Sequence, residues 1–485
     1  MADMSQFLNS GPKKMLIGGK WVESKSGKTF ATVNPATEEK LADVYEGDKA
    51  DIDLAVAAAR KAFDEGPWAK MSASERGRIV WRIGELIDKY KDEFATLDTL
   101  DNGKPIFETK NVDTALASDI FRYYGGFATK IHGETIPVAG SYLNYTLREP
   151  VGVCGQIIPW NFPLLMAASK LSPALAAGNC VVLKPAEQTP LSAIRLGEIM
   201  AEAGVPDGVV NIVPGFGPTA GAALAGHRGV DKIAFTGSTE IGKRIAAACA
   251  APRPDGSYKR LTLELGGKSP HIIFEDASID QAIEGIIAGI YFNQGEVCCA
   301  GSRLFVQESI LPQVIKKLEL RMASLRVGDP LDKNTDVGAI NSREQSDRIN
   351  HYLKVGPAEG ATLHSPNTST LPDKGFWCRP CFFSDVQPSH TIAREEIFGP
   401  VLSVLSFRTP EEALTRANNT PYGLAAGIWT DKGSKIFEIA RKLKAGVVWC
   451  NTYNKFDPAS PFGGYKESGF GREGGVQGLR GYLSL

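Results

Sequence analysis

Between residues 150 and 240 the chain alternates short apolar runs with helix-length segments. Val151–Ile158, Asn179–Leu183, Val209–Val213 and Lys232–Phe235 read as strands, with helices expected at about 164–176, 190–203 and 217–226. Unbroken apolar runs suit strands covered on both faces, and helical crossovers force such strands to lie parallel. A second series starts near His271–Phe274 and continues through Leu304–Gln307 and Val447–Cys450. At 485 residues the chain is too long for a single core. Two α/β units meeting near residues 260–270 are the simplest division.

The first 150 residues read differently. Short strand-and-turn segments (Met15–Trp21, Val33–Thr37) precede an alanine-rich helix over 51–64 that begins after Asp51. The next helix opens on a capping box, Ser72 with Glu75, and one face carries Ile79, Ile83, Leu86, Tyr90, Phe94 and Leu97 before Gly103 and Pro105 stop it. Residues 133–149 fit neither α/β series. They suggest a hairpin turning at Ala139-Gly140-Ser141, either internal or reaching toward another subunit.

Composition narrows the function classes. With 54 basic and 55 acidic residues there is no electrostatic footprint for nucleic acid or an anionic membrane. No run of about 18 apolar residues predicts a membrane span, and the opening residues lack the charged and apolar regions of a secretory signal. Eight cysteines are too few for a disulfide scaffold, and Cys154, Cys180 and Cys450 sit inside apolar runs. A reducing, cytoplasmic setting is expected. Cys378-Arg-Pro-Cys381 fits a C-x-x-C template, but no second ligand pair lies nearby, so strand or loop thiols are preferred and no metal site is expected.

Three segments are candidates for a dinucleotide. Gly215-Phe-Gly217-Pro-Thr-Ala-Gly221 follows a strand and opens a helix, but it is one residue longer than G-x-G-x-x-G. In Lys232-Ile-Ala-Phe-Thr-Gly237-Ser238-Thr239 a strand enters a glycine turn and a helix start, where amides and the helix dipole favour a pyrophosphate. Ser238 as an ordinary helix cap explains the same residues. Lys184-Pro-Ala-Glu187 lies at the end of another strand, where open α/β sheets bind ligands. A carboxylate there accepts hydrogen bonds from ribose hydroxyls and repels a 2′-phosphate, which favours NAD over NADP.

Nucleophilic chemistry is suggested by Phe292-Asn-Gln-Gly-Glu-Val-Cys298-Cys299, with Glu264 34 positions upstream of Cys298 in Leu263-Glu-Leu-Gly-Gly-Lys268. A thiol among small residues after a helix, with an acid on a glycine turn, suits a covalent cysteine enzyme with a general base.

Together with Pro159-Trp-Asn161-Phe-Pro, Phe235-Thr-Gly-Ser-Thr-Glu-Ile-Gly242, Glu395-Glu-Ile-Phe-Gly-Pro400 and Ser460-Pro-Phe-Gly-Gly-Tyr-Lys466, these motifs resemble the NAD(P)-dependent aldehyde dehydrogenase superfamily. The wording is most similar to its hydrolytic branch, neither phosphorylating nor CoA-acylating. The resemblance implies an α/β fold with a Rossmann-type cofactor domain (1–132 and 150–262), an α/β catalytic domain (263–474) and a small β oligomerisation arm (133–149 and 475–485). It implies Cys298 as nucleophile, Glu264 as general base and Asn161 as oxyanion donor. Cys299 then has no required role. The implied NAD contacts are Ile157, Lys184, Glu187, Gly217, Gly237, Ser238, Gln345, Glu396 and Phe398. An aldehyde substrate and a homodimer or homotetramer complete the expectation, with no nucleic acid or membrane partner.

Three departures shape the details. Ser169 stands where acetaldehyde-preferring relatives carry tryptophan, which widens a tunnel otherwise lined by Phe162, Met166, Phe292, Phe456 and Phe462. Aliphatic or aromatic aldehydes larger than acetaldehyde are therefore expected. Relatives usually continue past Leu485 into a further strand that helps subunits pair. The polar stretch Pro252–Tyr258 reads as a surface loop. The competing readings are a CoA-acylating or phosphorylating relative, against which Glu264 argues, and a non-catalytic member, against which the intact Cys298, Glu264, Asn161 and Glu396 argue.

Overall fold

The computed structural model describes residues 2–485. Two large sheets organise it. The first has eight strands in the order Lys20–Val22, Met15–Ile17, Val210–Ile212, Cys180–Lys184, Val153–Ile157, Lys232–Thr236, Arg260–Glu264 and Gly469–Phe470. Its five central strands are parallel and the outer ones antiparallel. Val153–Ile157, Cys180–Lys184 and Lys232–Thr236 are buried along their whole length, as strands with helices on both faces must be.

The second sheet has seven strands, ordered Thr362–His364, Cys381–Ser384, Val401–Phe407, Arg303–Gln307, Pro270–Ile273, Ala425–Trp429 and Val447–Cys450. All its pairings are parallel except the one made by Thr362–His364. Arg260–Glu264 closes the parallel series of the first sheet, and Pro270–Ile273 lies inside the second. The chain thus passes between sheets through Leu265–Ser269.

Helices Pro163–Ala176 and Leu191–Ala203 fall within a residue of their expected positions. Others differ. The alanine-rich helix spans Lys49–Asp64 and is capped by Asp48, with Asp51 closing the capping box from the third helical position. Asp51 is therefore inside the helix, because its carboxylate reaches back to the Asp48 amide. The long helix expected after Ser72 is two helices, Ala73–Lys89 and Lys91–Asn102, broken at Tyr90 (φ −102°, ψ 23°). The break turns Phe94 and Leu97 into the core, while the Tyr90 hydroxyl bonds Glu202.

In the 133–149 segment Thr135–Ile136 pairs with Asn144–Tyr145 as a short hairpin, and Glu149–Pro150 pairs with Leu483–Ser484. The hairpin exposes Tyr142 (79%), Leu143 (77%), Tyr145 (59%) and Leu147 (62%). Among the described residues no helix is long and apolar enough to cross a membrane.

Candidate active site

A cavity of 1230 Å³ opens where the C-terminal ends of the parallel strands meet the Phe292–Cys299 segment. Asn161, Gly237, Ser238, Glu264, Cys298, Gln345, Glu396 and Phe398 all line it. Ile157, Lys184, Glu187 and Gly217 do not. Ile157 and Lys184 are neighbours at the ends of adjacent strands. Gly217 begins a π-helical turn that runs into Ala222–Gly226, and a side chain there would meet open space.

Cys298 follows a kinked turn in which Asn293 (φ 49°) and Gln294 (φ 53°) both adopt left-handed backbone. Such strain persists only where surroundings enforce it, and here buried hydrogen bonds do so. Asn293 donates its backbone N–H to the Glu108 carboxylate (3.0 and 3.2 Å), and Gln294 donates its side-chain amide to the Ala339 carbonyl (3.2 Å). The neighbouring Cys299 thiol and burial push the Cys298 thiol upward. Cys299 itself is buried, with its carbonyl held by the Tyr453 hydroxyl at 2.8 Å.

Glu264 ends its strand and is only 3% exposed, and neither carboxylate oxygen has a hydrogen-bond partner among the described residues. Burial, then the nearby negative charge of Glu473, hold it well above the usual carboxylate range. Lys170 opposes that shift. Its ammonium is buried, bonds Thr236 at 2.6 Å and pairs with Glu473. A buried carboxyl with free lone pairs and a raised pKa is the profile of a general base operating near neutral pH.

The glycine pair after Glu264 is required by close approach. A Cβ on Gly266 would lie 2.2 Å from the Glu396 carboxylate, and one on Gly267 would lie 2.6 Å from the Cys298 carbonyl oxygen. Without side chains, the turn lets Cys298 and Glu396 share one wall. The Gly267 amide donates to Glu396 at 3.0 Å, and burial raises that carboxyl to about 7. Two residues on, Phe398 has φ 63°, and Gln345 donates its side-chain amide to the Phe398 and Ile397 carbonyls (2.6 and 3.1 Å). Gln345 is thereby pinned to the backbone beside Glu396.

The Asn161 side-chain amide donates to the Glu296 carbonyl at 2.7 Å, leaving its second hydrogen for another acceptor. Ser238 caps Thr239–Cys249 by accepting from the Ile241 amide, which leaves the amides of Thr239 and Glu240 for an anion. The Lys184 ammonium bonds Glu187 at 2.8 Å, keeping a lysine and a carboxylate together at the C-terminal end of a central strand.

On the apolar side the lining includes Leu116, Phe162, Met166, Phe292, Phe456 and Phe462. Ser169 faces the same space and turns its hydroxyl back onto the Leu165 carbonyl at 2.9 Å. Sequence reasoning missed Lys170, Glu473 and Tyr453. Only Lys170 left a trace, as the sole charge in the apolar helix Pro163–Ala176.

Residues 21–485 match the model of the aldehyde dehydrogenase family. The chain is 52% identical over 473 residues to the mitochondrial aldehyde dehydrogenase of Homo sapiens, covering 97% of this chain and 90% of that one. It is 50% identical to the mitochondrial benzaldehyde dehydrogenase of Antirrhinum majus, over 97% of this chain and 88% of the relative. The solved NAD+ complex of an aldehyde dehydrogenase from Bacillus cereus superposes with a TM-score of 0.96 at 47% identity, over 100% of this chain and 97% of that chain. A thiol, a partner-free buried acid and a side-chain amide on one cavity wall, within a match covering all but the first 20 residues, leave one conclusion: the chain belongs to the aldehyde dehydrogenase family.

Proposed function

We propose that this protein oxidises an aldehyde to the carboxylic acid with NAD, through a covalent adduct on Cys298. The observation that carries the reading is the convergence of Cys298, Glu264, Asn161 and Glu396 on one cavity. The Cys298 thiol gives up its proton to bulk water, and the thiolate sulfur attacks the aldehyde carbon, forming a C–S bond and moving the carbonyl electron pair onto an alkoxide oxygen. The free hydrogen of the Asn161 amide is the donor suited to that oxygen, and losing such a donor typically costs about 10²–10³ in rate. When bound, NAD supplies the acceptor for the hydride that leaves the same carbon. Cys298 then holds a thioester. Glu264 takes a proton from water, whose oxygen attacks the acyl carbon and releases the acid and the thiol.

The cofactor reading has its own support. Ser238 and the free amides of Thr239 and Glu240 suit the pyrophosphate, the Lys184–Glu187 pair suits an adenosine ribose, and Glu396 with Phe398 suit the nicotinamide half. Glu187 disfavours a 2′-phosphate, hence NAD over NADP. Ile157, Gly217, Gly237 and Gln345 complete the set, Gln345 through its hold on Phe398. Ser169 leaves the apolar half wide, so aldehydes larger than acetaldehyde are the substrate class.

Residues 1–132 and 150–262 form the cofactor unit, 263–474 the catalytic unit, and 133–149 with 475–485 the arm. The exposed Tyr142, Leu143, Tyr145 and Leu147, together with the half-buried edge strand Val447–Cys450, support a homodimer or homotetramer. All eight cysteines are free thiols, which suits the cytoplasm.

Steady NADH formation from NAD and an aldehyde panel, without CoA or phosphate, tests the reaction. Cys298→Ala should abolish turnover while NAD still binds, and persistent turnover would remove Cys298 from its role.

A further inference from the structure

The Asn161 main chain belongs to no strand or helix, so its carbonyl must be satisfied from elsewhere. Two buried side chains do this. Lys104, with no exposed surface, donates its ammonium to that carbonyl at 3.0 Å and to Asp113 at 2.6 Å, and its nitrogen sits 3.7 Å from the centre of the Phe162 ring. All three ammonium hydrogens thus have a destination. Asn293 spends both amide hydrogens nearby, one on the Asn161 carbonyl (3.0 Å) and one on the Glu296 carbonyl (3.2 Å). The Glu296 carbonyl is also the acceptor that orients the Asn161 side chain.

We infer that Lys104 and Asn293 are positioning residues that lock the Asn161 amide to the Cys298 turn as one rigid unit. A buried Lys–Asp pair is poor value for stability, since well-packed apolar residues of similar volume do as well or better. Its placement against the one carbonyl that anchors Asn161 accounts for its presence. Phe162, the next residue, lies under the same ammonium and stacks on Phe292 with centroids 6.3 Å apart. The clamp therefore also fixes two aromatic walls of the aldehyde channel. The inference rests on the oxyanion role of Asn161 proposed above.

A double-mutant cycle on the full-length protein with NAD tests it. The variants are Lys104→Met and Asn293→Gly, each alone and combined with Asn161→Ala. Glycine accepts the left-handed backbone at 293 while removing both donors. The readouts are the stopped-flow NADH burst rate and the KM for NAD. Each single variant should slow the burst about 10- to 100-fold, with KM for NAD changed less than about twofold. In the Asn161→Ala background the same changes should cost less than about threefold. Equal losses in both backgrounds, with Asn161→Ala itself slow, would overturn the positioning role and leave the oxyanion reading intact. An unchanged burst in Asn161→Ala would overturn both. Should Lys104→Met not fold because Asp113 is left unpaired, the Asn293→Gly cycle decides by the same criterion.

Discussion

Glu264→Gln separates chemistry from stability more cleanly than any other change in this site. Both oxygens of Glu264 lack hydrogen-bond partners among the described residues, so no bond is lost. Burial and Glu473 hold its carboxyl well above the usual carboxylate range, and Lys170 is paired with Glu473, so an amide of nearly equal volume leaves no new unpaired charge. Stability should therefore move by no more than about 0.5 kcal/mol. Activity should behave differently, because an amide cannot take a proton from water. Loss of a general base costs about 10²–10⁴ in rate, or roughly 2.7–5.4 kcal/mol in the barrier to hydrolysis. The first half of the reaction needs no water. Stopped-flow absorbance should show an NADH burst approaching one per subunit, followed by a steady rate lower by that factor. The wild-type hydrolysis rate should rise with pH through the raised pKa of Glu264, and the variant should lose that limb. An undiminished steady rate, or a burst suppressed as strongly as the steady rate, would refute the reasoning.

Ser169→Trp should narrow the apolar channel, lowering kcat/KM for benzaldehyde relative to acetaldehyde by about 10- to 100-fold in a two-substrate comparison. Gly267→Ala, whose new carbon would lie 2.6 Å from the Cys298 carbonyl, should cut kcat about 100-fold in a folded protein, and normal kinetics would deny that the turn sets the nucleophile. Burial raises Asp98 to about 7 and both Asp101 and Glu108 to about 8. The native state thus keeps protons that the unfolded chain releases above about pH 4, and stability falls as pH rises. His271, lowered to about 3, and His227, also lowered by burial, work in the opposite direction but are two groups against several. The urea midpoint should be lower at pH 6.5 than at pH 5, and a higher midpoint would show that these carboxyls are ionised in the fold.

The strands of the first sheet were legible because burial on both faces leaves an unmistakable apolar run, as in Val153–Ile157 and Cys180–Lys184. The Cys298, Glu264 and Asn161 motifs were legible because each lies in a contiguous, chemically unusual segment. Gly469–Phe470 was not, since two residues carry no periodicity and their register comes from Leu263 and Glu264. The break at Tyr90 was hidden because the apolar spacing continues across it in one dimension. Lys170 and Glu473 are 303 positions apart, and Lys104 reaches Asn161 across 57. Such pairs are made by the fold, and no local spacing announces them.

The Glu264 carbonyl accepts from the Gly237 amide at 3.1 Å, the Leu265 amide bonds the Ser468 carbonyl at 3.0 Å, and the Ser468 hydroxyl bonds the Gly266 carbonyl at 2.7 Å. The acid is thus stitched on one side to the glycine turn and on the other to a segment some 200 residues later. A nascent chain that has left the ribosome only to residue 460 already contains the thiol, the amide donor and every expected cofactor contact, yet the strand bearing Glu264 still lacks its outer neighbour. The outer half of the support for Glu264 is therefore the last part of the site to be synthesised.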